Sequence, residues 1–177
     1  FFFSLLNINM RQSVPLWNRP IDIIIVLLYG YFLFSCIFIE RFYCEAPLQE
    51  DDADWLLKAT YEYSEKYNPL FLSRPEWLRS ATCVSAYVLG FGYIVGVLTF
   101  LKGIESMRIP LLMFCSFKLN ALLLYYHLEF FGSMPAPNIV MFLAPEGPYL
   151  ISLFLTMFRM RTAHPFSRNI TEKPKMK

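Results

Sequence analysis

Between Ser80 and Leu101 the chain has no charged residue of either sign. A run of about 20 apolar residues, rising roughly 1.5 Å each, crosses the ~30 Å hydrocarbon core of a bilayer, and a backbone without water must close its hydrogen bonds internally as a helix. Charge is scarce throughout, 17% of 177 residues against 56% hydrophobic and 18% aromatic, with a mean hydropathy of +0.40. That is the composition of an integral membrane protein with room for one domain. The net charge of +2 is too small to suggest nucleic acid, and the basic residues form no stripe interleaved with aromatics. No CxxC pair is present: Cys36, Cys83 and Cys115 fall inside apolar runs and Cys44 lies just beyond the first. All four are expected to pack as small apolar residues in a helical bundle, not to build a metal or redox site. His127 has no second histidine at ligand spacing, so neither a metal nor a cofactor is expected.

What is present is a sequence of four apolar runs. Asn18, Arg19 and Pro20 stop an N-terminal tail (1–18), and a first span is expected over 21–43, closed by Glu40 and Arg41. Residues 44–79 are an acidic loop outside the membrane, in which Asp52 or Asp54 caps a helix carrying Trp55, Leu56, Ala59 and Tyr63 on one side and ended by Asn68-Pro69. The second span is 80–101. The connection from Lys102 to Arg108 is so short that the third span, 109–131, returns antiparallel, with Pro110 tolerated in its first turn. A fourth span, 139–158, contains Pro145-Glu146-Gly147-Pro148, which predicts a break or kink and freed carbonyls that need a cavity, a water or a side chain. The fold class expected is an all-α, four-helix membrane bundle (19–161) with a partly helical acidic first loop and a basic C-terminal tail (162–177).

Basic residues set the expected orientation. Arg11 and Arg19, Lys102 and Arg108, and Arg159, Arg161, Arg168, Lys173, Lys175 and Lys177 all fall on one side of a four-helix protein. The positive-inside rule makes that side, with both termini, cytosolic and puts the acidic loop on the lumenal or external side. The sequon Asn169-Ile170-Thr171 would then never meet the glycosylation machinery. Lysines third and fifth from the end of Lys173–Lys177 resemble a KxKxx retrieval signal of the endoplasmic reticulum, or else form a basic tail drawn to anionic lipid. Residues 1–9, which precede Met10, read as upstream translation or as an end left by processing. Phe1 to Leu6 is too short to span and has no basic region before it, so no cleaved signal peptide is inferred.

The ordered set Arg19-Pro20 with Asp22, Glu40, Asn68-Pro69-Leu70, Pro75-Glu76-Trp77-Leu78-Arg79-Ser80, Arg108 with Pro110, and Pro148-Tyr149-Leu150 resembles the EXPERA family over about Arg19 to Arg161. Members of that family include the sigma-2 receptor, nearest in length and loop size, and the emopamil-binding sterol isomerase. The resemblance implies four helices around a lipid-facing cavity for sterols or amphiphilic amines. It is lined by an acid at the end of the first helix, where Glu40 stands, and by another in the second, where this chain has Ser85. Tyr149 matches a family tyrosine on the fourth helix. Glu40, Ser85 and Tyr149 are therefore the ligand-binding candidates.

An isomerase must protonate one sterol carbon and deprotonate another, and the family's enzymes draw those groups partly from the second helix. Here Ser80 to Leu101 has no His, Asp, Glu or Lys, so no catalytic residue is assigned. Lys118 and Glu146 lie about 14 Å and about 20 Å deep at ~1.5 Å per residue, and charges there face a bundle interior and pair. They form a candidate ion pair, or a polar anchor in a lipid pocket, or a contact to another subunit. His127 and Glu129 are expected to snorkel to the interface, and Tyr43, Trp77, Tyr125 and Tyr126 to sit there as aromatics. Gly92 and Gly96 form GxxxG, for close packing within the bundle or in a homodimer. The resulting expectation is a sterol- or lipid-binding, non-enzymatic protein of the endoplasmic reticulum membrane. A structural subunit of a larger assembly, as in the mitochondrial inner membrane, is the alternative, and a sterol double-bond isomerase the third reading.

Overall fold

The computed structural model describes residues 11–169. The expectations for residues 1–9 and for Lys173–Lys177 fall outside them, as does most of the sequon. Among the described residues four helices are long and apolar enough to cross a membrane: α1 Pro20–Glu45, α4 Glu76–Lys102, α5 Arg108–Phe131 and α6 Ile139–Arg159. Two shorter helices, α2 Trp55–Tyr67 and α3 Pro69–Ser73, lie in the acidic loop. Beyond the helices, Arg11–Ser13 pairs antiparallel with Ser167–Asn169, bringing the two tails together.

Apolar burial does not drive helices together in lipid, so the bundle relies on tight packing and internal hydrogen bonds. Its centre is Tyr29 of α1, fully buried, whose hydroxyl lies 2.7 Å from Thr156 Oγ1 on α6 and whose ring meets Tyr93, Phe100 and Phe114 edge-on. The two glycines at GxxxG spacing make that approach possible within the chain. A Cβ added to Gly96 would sit 2.3 Å from the Tyr29 ring, and one added to Gly92 would sit 2.3 Å from the Phe114 ring. Gly96→Val is therefore expected to cost about 1–3 kcal/mol of stability, read by denaturation in detergent, because the Tyr29 ring has no room to give way.

At the tail end, Asp22 is enclosed between Arg19 (2.7 Å) and Arg159 (2.5 Å), and both guanidiniums rest over the Phe166 ring. At the loop end, Arg74 takes a left-handed conformation, φ 49°, and donates to the carbonyls of Tyr43 and Cys44, which end α1 without helical partners.

Several expectations need correction. Cys44 and Cys83 form a disulfide, with Cα atoms 5.1 Å apart, whereas Cys36 and Cys115 are free and buried as expected. The reason lies in helix length: α4 begins at Glu76, before the charge-free run, so Cys83 sits near the loop end beside the last turn of α1. The fourth span is not broken; α6 is continuous from Ile139 to Arg159. Pro145 cannot donate to the Met141 carbonyl, but the Tyr63 hydroxyl does, at 2.8 Å, and the Tyr126 hydroxyl donates to the Glu146 carbonyl at 2.6 Å. With the Met141 acceptor taken by a side chain, the helix continues through Pro145 and on through Pro148 to Arg159.

In the loop, Asp54 caps α2 by accepting from the Leu56 amide, and Ala59 and Tyr63 face the bundle as expected, together with Leu57, Thr60 and Ser64, but Trp55 is 76% exposed. Tyr43 and Tyr126 are buried with hydroxyls on backbone carbonyls, because α2 and α3 cover the bundle mouth and turn that interface into interior. Glu129 does not snorkel: it is wholly buried.

Candidate functional site

Two of the spans change pitch at the same level. Cys36–Glu40 of α1 and Ser85–Leu89 of α4 are π-helical turns, closed by bonds from the Arg41 amide to the Cys36 carbonyl and from the Gly90 amide to the Ser85 carbonyl. A π turn inserts a residue and rotates the remainder of its helix about the axis, and such turns recur at functional sites. The two turns touch through the Cys36 thiol, 3.9 Å from the Ser85 carbonyl. Their effect is to bring Glu40 and Ser85 to one space.

That space is a cavity of about 390 Å³ inside the loop-end half of the bundle. Its walls come from all four spans, and Ala59, Thr60, Tyr63 and Ser64 of α2 roof it, together with Asn68. Glu40, Ser85, Tyr149, Lys118 and Glu146 all line it, so the structure brings every candidate residue together. Tyr149 stacks on Phe32, ring centroids 3.7 Å apart, which aims its hydroxyl at Glu40 Oε1 at 3.2 Å. The Cys36 thiol donates to Glu40 Oε2 at 3.5 Å.

The expected Lys118–Glu146 ion pair is not formed: among the described residues no carboxylate lies within 4.0 Å of Lys118. Its ammonium instead donates to Ser85 Oγ at 2.7 Å and stands 5.5 Å and 5.6 Å from the ring centres of Tyr93 and Tyr149. The physical reason is direction: on α5 this side chain reaches toward α4, while Glu146 belongs to α6.

The sequence pattern also left members of the site unmarked. Tyr125, expected as an interfacial aromatic, lines the cavity and accepts from the Asn68 amide at 2.6 Å; Asn68 in turn caps α3 by accepting from the Phe71 amide. Glu129, one turn further along α5, leaves both carboxyl oxygens without a partner among the described residues. Tyr63, outside the spans, has its hydroxyl pushed up to about 12 by burial, so it remains a neutral donor to Met141 at any physiological pH. The signal that could have found Tyr63 was Pro145, which leaves the Met141 carbonyl needing a donor; nothing in the sequence marks the Tyr126 bond to Glu146.

The cavity holds two acidic side chains, Glu40 and Glu146, and one ammonium, Lys118, among tyrosine hydroxyls and apolar walls. Such a site can hold an amphiphile by its polar end. Compared with known proteins, the chain matches no family model, no curated protein and no solved structure.

Proposed function

We propose that this chain is a non-enzymatic membrane protein that binds a sterol or another lipid, of the type its ordered motifs resemble in the EXPERA family. The observation that carries this reading is the cavity between the four spans, with Glu40, Ser85 and Tyr149 on its wall. A concave, largely apolar site with a few convergent polar groups is the usual form of a small-molecule site. The disulfide supports the orientation in which the acidic loop faces an oxidising compartment and the basic tails face the cytosol. The endoplasmic reticulum is the membrane we propose, because its oxidising lumen would sustain the bridge on the side of the acidic loop.

The test is extraction of the full chain in mild detergent, with native mass and bound lipid read by mass spectrometry. One or two copies carrying stoichiometric sterol or lipid is the expected result, and Glu40→Gln and Tyr149→Phe are each expected to lower retention at least several-fold. Lipid present only in the bulk ratio of the membrane would sink the proposal. The same sample, incubated with an unsaturated sterol, is expected to leave the double bond where it was.

One observation favours a second reading, a structural subunit of a larger assembly, as in the mitochondrial inner membrane. On α5, the span with the smallest buried share, Asn120 is exposed near the middle beside Ser116, on a shallow depression edged by Leu119, Leu123 and Leu124. An amide facing hydrocarbon seeks a hydrogen-bond partner on another helix. A particle many times heavier, with fixed partner chains, would favour this reading.

A further inference from the structure

The least expected group in the cavity is the ammonium of Lys118. It has three N–H donors, of which the structure shows one engaged, on Ser85 Oγ, with two ring faces nearby. A cation at this depth is costly unless it is compensated. Yet it is kept from Glu40 by neutral groups. Ser85 takes the lysine, Cys36 bridges the Ser85 carbonyl and Glu40, and Tyr149 presents its hydroxyl to Glu40 while its ring lies 5.6 Å from the ammonium. The result is a divided cavity, positive where α4 meets α5 and negative where α1 meets α6.

Each simple ligand class leaves part of that division unanswered. A neutral sterol pairs neither sign. A cationic amphiphile suits Glu40 and Glu146 but meets Lys118, and a fatty acid suits Lys118 but meets two carboxylates. A molecule with an anion and an ammonium a few ångströms apart offers the opposite sign to each side, its ammonium shared by the two acids, and a buried charge left without any opposite is strongly unfavourable. We infer that the cavity receives the headgroup of a zwitterionic aminophospholipid, its phosphate on Lys118 and its ammonium between Glu40 and Glu146. A volume of about 390 Å³ holds a headgroup and glycerol, and Tyr31, which lines the cavity, is 47% exposed on the outer side of α1, the direction in which acyl chains would leave for the bilayer. The inference rests on the lipid-binding reading above and narrows it.

The experiment is equilibrium binding to the full chain in detergent of four probes: oleoyl lysophosphatidylethanolamine, oleoyl lysophosphatidic acid, oleylamine and cholesterol. The zwitterion is expected to bind at least tenfold tighter than the others. Lys118→Met is expected to weaken it at least tenfold while tightening oleylamine, and Lys118→Arg to restore the original order. Glu146→Gln is expected to weaken the zwitterion and leave lysophosphatidic acid unchanged or tighter. Cholesterol or oleylamine binding as tightly as the zwitterion, or an order unchanged by a folded Lys118→Met protein, would overturn this inference and leave the lipid-binding reading standing. Failure of all four to bind would overturn both.

Discussion

Asp22→Asn is expected to destabilise the protein by about 3–5 kcal/mol, the cost of removing one partner from a buried ion cluster. Asp22 is fully buried, and its two carboxylate oxygens take bonds from Arg19 and from both the Nε and Nη2 of Arg159. Without the carboxylate, two guanidiniums stacked on the same phenylalanine ring face each other with no anion between them. Against a typical total of about 5–15 kcal/mol, that loss is large enough to leave much of the population unfolded. Arg159→Met is expected to cost less, because it leaves the Arg19–Asp22 pair intact and neutral. Denaturant titration in detergent, with the three proteins side by side, checks the order. An Asp22→Asn protein as stable as the parent would show that the cluster contributes nothing to closing the tail end.

The second large effect concerns the disulfide. Cys44→Ser or Cys83→Ser is expected to lower stability by about 2–4 kcal/mol, because the bridge closes a loop between residues 39 apart in sequence and restrains the unfolded chain. Either single substitution and the double should fall together, since each removes the same bond. The bridge also reports orientation. In sealed vesicles, a membrane-impermeant thiol reagent should label Cys44 and Cys83 only after reduction and only from the side of the acidic loop. Cys36 and Cys115, both buried in the bundle, should stay unlabelled in the folded protein. Labelling without reduction would contradict the bridge.

The four spans were legible because absence of charge is a one-dimensional property: Ser80 to Leu101 declares a helix without reference to any other segment. The landmark residues Glu40, Ser85 and Tyr149 were legible as positions, and they do line one cavity. Their geometry was not legible, since two π turns set how Glu40 and Ser85 face each other and no residue type demands a π turn. The Lys118–Glu146 pairing failed because depth along two helices says nothing of rotation about either. Cys83 was misread because a cysteine in an apolar run looks the same whether packed or bonded, and Cys44, just beyond the first run, has no partner in view without it. Glu129 was misread because the loop helices move the effective boundary of the interior outward, which hydropathy alone does not register.

The bond from Tyr63 to the Met141 carbonyl has a consequence for biogenesis. Tyr63 precedes its acceptor by 78 residues, and the acceptor is free only because Pro145 lies four residues beyond it. A chain made from its N-terminus will have released α2 well before the fourth span exists. Until that span inserts, the roof has no latch, and the nascent three-helix intermediate carries an open vestibule in which Lys118 can be hydrated. The last segment to enter the bilayer thus fastens the roof over the chamber.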